Sequence, residues 1–123
     1  STLFDRLKRY EEGFILKHTA LIDFNKLGFN VMVKSLLKIP KDEKEKVVDY
    51  LQKNHNVNAI STVTNGYSLL IETIFRDLKG MEKFTEQLEE FNIEKKEDFF
   101  VIEDIKRESF LSQPELIGLI KEV

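Results

Sequence analysis

Asn65-Gly66 stands between two runs that favour extended backbone, Val57 to Thr64 and Tyr67 to Phe75. A two-residue hairpin closes best on a type I′ turn, whose central residues both need positive φ, and Asn-Gly tolerates that conformation better than other pairs. The pair therefore commits the middle of the chain to two neighbouring antiparallel strands. The first run is dense in β-branched residues, Val57, Ile60, Thr62, Val63 and Thr64, which suit a pleated surface. The second places Leu69, Leu70, Ile71 and Ile74 on both faces, so it reads as a central, covered strand.

The flanks repeat a simpler pattern. From Gly28, Phe29, Val31 and Val33 alternate with Asn30, Met32 and Lys34, which predicts a strand to about Ile39, stopped by Pro40. Asp42 and Glu45 have capping-box spacing, so a helix is expected from there. Its apolar face is Val47, Val48 and Leu51, and it ends near Asn54. Asp77 can cap a second helix with the stripe Leu78, Met81, Phe84, Leu88 and Phe91. Gly80 in its first turn costs about 1 kcal/mol relative to Ala. A fourth strand is expected over about 98–105.

The order strand, helix, strand, strand, helix, strand predicts an α+β domain. Right-handed crossovers turn it into a ferredoxin-like βαββαβ fold, a four-stranded antiparallel sheet with two helices on one face. Phe and Val residues on the other face need cover, which motivates a dimer packed sheet against sheet. This body occupies 23–106. Before it, Leu3, Leu7 and Tyr10 at helical spacing predict a helix over about 2–12, closed at Gly13, then a strand-like connector to Ile22. After it, 107–123 is an extension whose Leu116, Ile117, Leu119 and Ile120 suggest a short terminal helix.

Composition removes several classes of function. A net charge of −3 does not suit a chain whose main task is neutralising phosphates. A local basic patch, Arg6, Lys8 and Arg9 against Asp5, is the one place for nucleic-acid contact, although on charge alone it reads first as a solvated helix face. There is no Cys, hence no disulfide and no thiolate metal site, which fits the cytoplasm. No apolar run approaches the roughly 20 residues that span a bilayer, and no membrane partner is expected. His18 and His55 fall in different structural units and read as surface histidines, so no metal ligands and no cofactor are expected. The glycines are too dispersed for a phosphate-binding loop, and adjacent acids such as Glu11-Glu12 and Glu89-Glu90 read as solubilising charge. No catalytic residues are named, and an enzyme is not expected.

Longer strings carry a resemblance. Ser1-Thr2-Leu3-Phe4-Asp5-Arg6-Leu7-Lys8-Arg9-Tyr10-Glu11-Glu12-Gly13-Phe14-Ile15 is similar to a recognition helix and its following turn. Thr19 to Asp23 and Lys26-Leu27-Gly28-Phe29 look like a linker and entry strand. Asn65-Gly66-Tyr67-Ser68-Leu69-Leu70-Ile71-Glu72, followed by Arg76-Asp77-Leu78, looks like a hairpin signature. In this order and spacing, over residues 1 to about 106, the chain resembles the Lrp/AsnC (feast/famine) transcription regulators.

The resemblance implies a sensing and oligomerisation domain at 23–106, preceded at 1–22 by the remnant of a helix-turn-helix whose earlier helices are expected upstream of Ser1. It implies a homodimer or higher oligomer, DNA contacts by Arg6, Lys8 and Arg9 in the complete parent protein, and a small effector, often an amino acid, near the hairpin. Thr64, Gly66 and Ser68 are the candidate ligand-binding residues. Ser68 stands where such regulators usually carry Asp, which leaves a hydroxyl in place of a charge. On its residues alone, Asn65-Gly66 reads most simply as a hairpin turn without a ligand, and Tyr67 as core or sheet-face packing rather than a ligand contact. The alternative function is a stand-alone short form that pairs with full-length relatives without binding DNA.

Overall fold

The computed structural model describes residues 27–111. The expected recognition helix and connector, with Arg6, Lys8, Arg9 and His18, lie outside the described residues, as does the expected terminal helix. Gly28–Ile102 forms a compact unit of its own. Its elements are β1 (Val31–Lys38), α1 (Lys44–Lys53), β2 (Val57–Thr62), β3 (Leu69–Phe75), α2 (Leu78–Leu88) and β4 (Lys95–Phe100). The strands form one sheet in the order β2-β3-β1-β4, with every neighbouring pair antiparallel. This is the ferredoxin-like α+β fold expected from the element order.

One face of the sheet holds the core. Val33 and Leu37 of β1 meet Leu69, Ile71 and Phe75 of β3, and the helices close over them with Val47, Leu51, Phe84 and Leu88. Leu37, Val47, Leu51 and Ile71 are fully buried. At roughly 1.5–3 kcal/mol for each fully buried aliphatic side chain, this layer is the main source of stability. An aromatic chain crosses it. Phe75 of β3 tilts against Phe84 of α2 at 5.6 Å, Tyr50 of α1 stacks on Phe84 at 6.4 Å, and Tyr50 meets Phe91 at 5.1 Å. The polar residues on this face are satisfied. Thr73 Oγ1 donates to the Val33 carbonyl at 3.3 Å, and Ser35 Oγ donates to Asp98 Oδ1 at 2.5 Å.

The opposite face presents Met32, Lys34, Leu36 and Lys38 from β1 beside Leu70, Glu72 and Ile74 from β3, by the ladder register. From β4 it presents Lys95, Glu97 and Phe99, opposite Lys38, Leu36 and Lys34. Both helices are spent on the other face. Ile74 is already buried, and the residues that want cover here are the partly buried Met32, Leu36 and Leu70 and the exposed Phe99. No Val is among them, because Val33 pairs with Thr73 and faces the helices. Phe99 is half exposed.

Four local expectations change. The capping box at Asp42 and Glu45 does not form: helix α1 begins after Glu43, with φ −98° and ψ −15° there and no side-chain cap. The turn closed by the Glu43 N–H to the Pro40 carbonyl, 3.0 Å, already carries the chain into helical geometry. A side-chain cap needs an extended residue at that point. Leu78 is 62% exposed rather than part of the α2 stripe; at 3.6 residues per turn it sits roughly 120° around the helix from Phe84. The fourth strand is Lys95–Phe100, starting three residues earlier than expected, and Ile102 and Ile105 are almost fully exposed. Its charged first half is what an edge strand carries to discourage pairing with other chains. The second and third strands stop short of the hairpin, at Thr62 and Leu69.

Candidate functional site

The hairpin is built by its two turn residues. Asn65 has φ +65° and Gly66 φ +86°, the double positive φ that a type I′ turn requires. Below them the Val63 N–H donates to the Ser68 carbonyl at 3.2 Å, and the Ser68 N–H donates to the Leu37 carbonyl at 2.7 Å. Nothing lies within 4 Å of where a Gly66 Cβ would stand. The backbone at the tip is therefore open to close approach.

The three candidate ligand residues share this hairpin and divide into two environments. Thr64 and Gly66 are exposed at the tip. Ser68 is half-buried, and its hydroxyl accepts from the Ile39 N–H at 3.0 Å and lies 3.3 Å from the Ile39 carbonyl, to which it donates. It thereby holds the end of β1 just before Pro40. The structure brings Thr64 and Gly66 together and turns the Ser68 hydroxyl toward the neighbouring strand.

The cluster around Tyr67 joins residues far apart in the chain and is not legible from the sequence pattern. The Tyr67 hydroxyl donates to Glu97 Oε2 at 2.6 Å, and Lys95 Nζ lies 5.4 Å from the ring centroid. Hydrogen bonding to Tyr67 raises Lys95 above the ordinary lysine value. Electrostatic interaction with Tyr67 and, less, with Glu97 pushes the same way, and desolvation opposes it. Both partners lie in β4, before the expected strand start at residue 98.

Two further constellations flank the site. At the other end of the hairpin strands a register shift between Val57 and Ala59 lets Asn58 Nδ2 donate to Glu72 Oε2 at 2.6 Å. Glu72 is 7% exposed, and a carboxylate at that depth is tolerated only with partners. Past β3, Arg76 stacks over the Phe29 ring at 4.4 Å, and its Nη1 is 3.5 Å from where a Gly28 Cβ would be, with Gly28 at φ +86°. On the helical side a shallow groove of about 490 Å³ is lined by Lys46, Asp49, Tyr50, Lys53, Asn54 and Phe91. Its polar groups serve one another: Lys53 pairs with Asp49 at 3.0 Å, Asn54 Nδ2 donates to the Tyr50 hydroxyl, and that hydroxyl donates to Gln87. His55 is exposed. Among the described residues, no group of three or more His, Cys, Asp or Glu could hold a metal ion, and no helix is long and apolar enough to cross a membrane.

Comparison with known proteins gives this geometry a context. No family model matches the chain. The HTH-type transcriptional regulator FL11 of Pyrococcus furiosus is 25% identical over 72% of the chain and 59% of that protein, so the chain spans about three fifths of this relative's length. Among solved structures, the transcriptional regulator NMB0573 of Neisseria meningitidis in its L-Met complex superposes with a TM-score of 0.66 at 19% identity, covering 74% of the chain and 60% of the other. An AsnC family transcriptional regulator from Agrobacterium tumefaciens superposes at 0.65 with 16% identity, covering 85% and 71%. The fold is that of Lrp/AsnC regulatory domains, and the resemblance read from the sequence is supported by relatives that are transcription regulators.

Proposed function

We propose that this Lrp/AsnC-like chain is the effector-sensing and self-associating part of a transcription regulator. The observation that carries the reading is the β2-β3-β1-β4 sheet with both helices on one face, the architecture of the regulators it superposes on. The helix-free face, with Leu36, Leu70 and half-exposed Phe99, supplies an apolar surface for a second copy. The effector is a small amino-acid-like molecule that meets the hairpin at Thr64, Gly66 and Ser68. The open backbone at Gly66 supports this, as does the binding of L-Met by NMB0573. With Ser68 in place of a carboxylate, recognition of an α-amino group rests on hydrogen bonds without an ion pair. In the complete parent protein, Arg6, Lys8 and Arg9 contact DNA phosphates and base edges.

The mechanism is linkage. An effector that binds one assembly better than another shifts the population toward it by its differential affinity. The assembly then sets the spacing of paired DNA-binding modules, and so which half-sites they reach together. The test is thermal unfolding of the full chain with each of the twenty amino acids in turn. A ligand at about a hundred times its Kd stabilises by about 2.7 kcal/mol, which is easily seen as a rise in Tm. A set of flat curves across all twenty would remove the amino-acid reading.

A further inference from the structure

We propose that Tyr67 couples the Asn65-Gly66 hairpin to the helix-free face of the sheet, so that ordering of one is felt at the other. The inference rests on the reading just given, in which that hairpin meets the effector and that face meets a second copy. It adds a transmitting side chain, which the fold alone does not supply.

Strands β3 and β4 are not neighbours, because β1 lies between them. Two inter-strand spacings are about 10 Å, too far for backbone contact. Tyr67 bridges them at the end of the sheet where β1 runs out into Ile39-Pro40. It is the residue directly after Gly66, and its hydroxyl reaches Glu97 of β4 while its ring lies beside Lys95. Glu97 and Lys95 belong to the alternating row 95, 97, 99 on the helix-free face, and the third member of that row is Phe99. One side chain thus joins the open tip of the hairpin to the strand that carries the exposed aromatic of the opposite surface.

The second anchor of the hairpin leads elsewhere. Ser68 is tied to the backbone of β1 at Leu37 and Ile39, a strand held on both edges by long ladders. Strand β4 is an edge strand with one ladder partner, β1, so it is the strand a small force can shift. The Tyr67 contact is exposed, and an exposed hydrogen bond adds little to global stability. Its consequence is which residues move together. Burial of the 95, 97, 99 row against a second copy fixes Glu97, Glu97 fixes Tyr67, and Tyr67 narrows the conformations open to the turn. An effector ordering the turn acts along the same chain in reverse, as reciprocity of linkage requires.

The experiment uses the full chain as wild type, Tyr67→Phe, Glu97→Ala and Glu97→Gln, the last keeping an acceptor. Sedimentation gives the association state. Hydrogen exchange at the Val63 and Ser68 amides is then read at dilute and concentrated protein. In wild type and Glu97→Gln, association is expected to slow exchange at these amides roughly two- to tenfold, the range one hydrogen bond corresponds to. In Tyr67→Phe and Glu97→Ala that slowing disappears while the ring or the rest of the sheet is kept. Loss of association in these two variants alone would equally support coupling. Equal slowing in Tyr67→Phe overturns the proposal. If the wild type associates and its hairpin exchange does not change, the coupling fails and the functional reading survives. If the wild type is a monomer at every concentration, the functional reading fails and the coupling with it.

Discussion

Replacing Ser68 with Ala removes the acceptor of the Ile39 N–H, a 3.0 Å bond, together with a longer 3.3 Å contact to the Ile39 carbonyl. Ile39 is 6% exposed and precedes Pro40, so no ladder partner can take over the freed amide without moving β1. An unsatisfied buried donor costs about 1–3 kcal/mol. Ser68 is itself half-buried, which lets water relieve part of that cost, and the second contact is too long to add much. The expected loss is about 1–2 kcal/mol. At about 5 °C per kcal/mol for a domain of this size, Tm falls by roughly 5–10 °C. Urea unfolding followed by circular dichroism measures it, with a lower midpoint at unchanged slope. Ser68→Thr keeps the hydroxyl and should recover most of the loss. A Ser68→Ala variant within about 0.5 kcal/mol of wild type, the usual range for surface changes, would refute the reasoning and free the hydroxyl for a ligand role alone.

Gly80→Ala should stabilise by about 0.5–1 kcal/mol by removing a helix-interior glycine, since the added Cβ meets only ordinary contacts at 3.4–3.9 Å; a denaturant midpoint that falls would contradict this. Gly66→Ala should destabilise by about 1–3 kcal/mol although the space around it is open, because φ +86° strains any L side chain. Asp77→Ala should cost about 0.5–2 kcal/mol by leaving the Gly80 N–H, now bonded to Asp77 Oδ1 at 2.8 Å, without its cap. Lys95 is raised from 10.5, so its contribution is complete below that pH and is lost as pH rises through the higher folded value. Stability from this group should therefore be flat between pH 7 and 9 and decline only in stronger alkali, as an NMR titration of the Lys95 ammonium would show; a decline beginning near neutrality would tell against it.

The sequence was most legible where one local rule had no competitor. Asn65-Gly66 forced the hairpin because few residues accept positive φ, and the alternation around Val33 located β1 because one of its faces is buried. Asp77 announced α2 as an extended cap followed by an apolar stripe. Legibility failed where partners distant in sequence decide. The run Phe99 to Ile105 looked more strand-like than Lys95 to Asp98, yet pairing with β1 selects Lys95–Phe100, and charge on an edge strand hides it from hydropathy. Asp42 and Glu45 had the spacing of a cap, but the turn from Pro40 fixed the backbone before either could act. The Tyr67–Glu97 contact spans 30 positions and depends on the β4 register, so no reading of the hairpin by itself reveals it. Thr64, Gly66 and Ser68 were placed on one hairpin by the sequence, while the inward turn of the Ser68 hydroxyl needed the position of Ile39.

The most direct measurement is sedimentation equilibrium of the full chain across a wide concentration range, for wild type and Phe99→Lys. Phe99 is half exposed on the face without helices, so an ammonium there stays in water in a monomer and would be buried at a cost in a sheet-to-sheet pair. A dimer or larger species for wild type, shifted toward monomer by Phe99→Lys at unchanged circular dichroism, is the predicted result. A wild-type chain that stays monomeric throughout, or an assembly indifferent to Phe99→Lys, would contradict it.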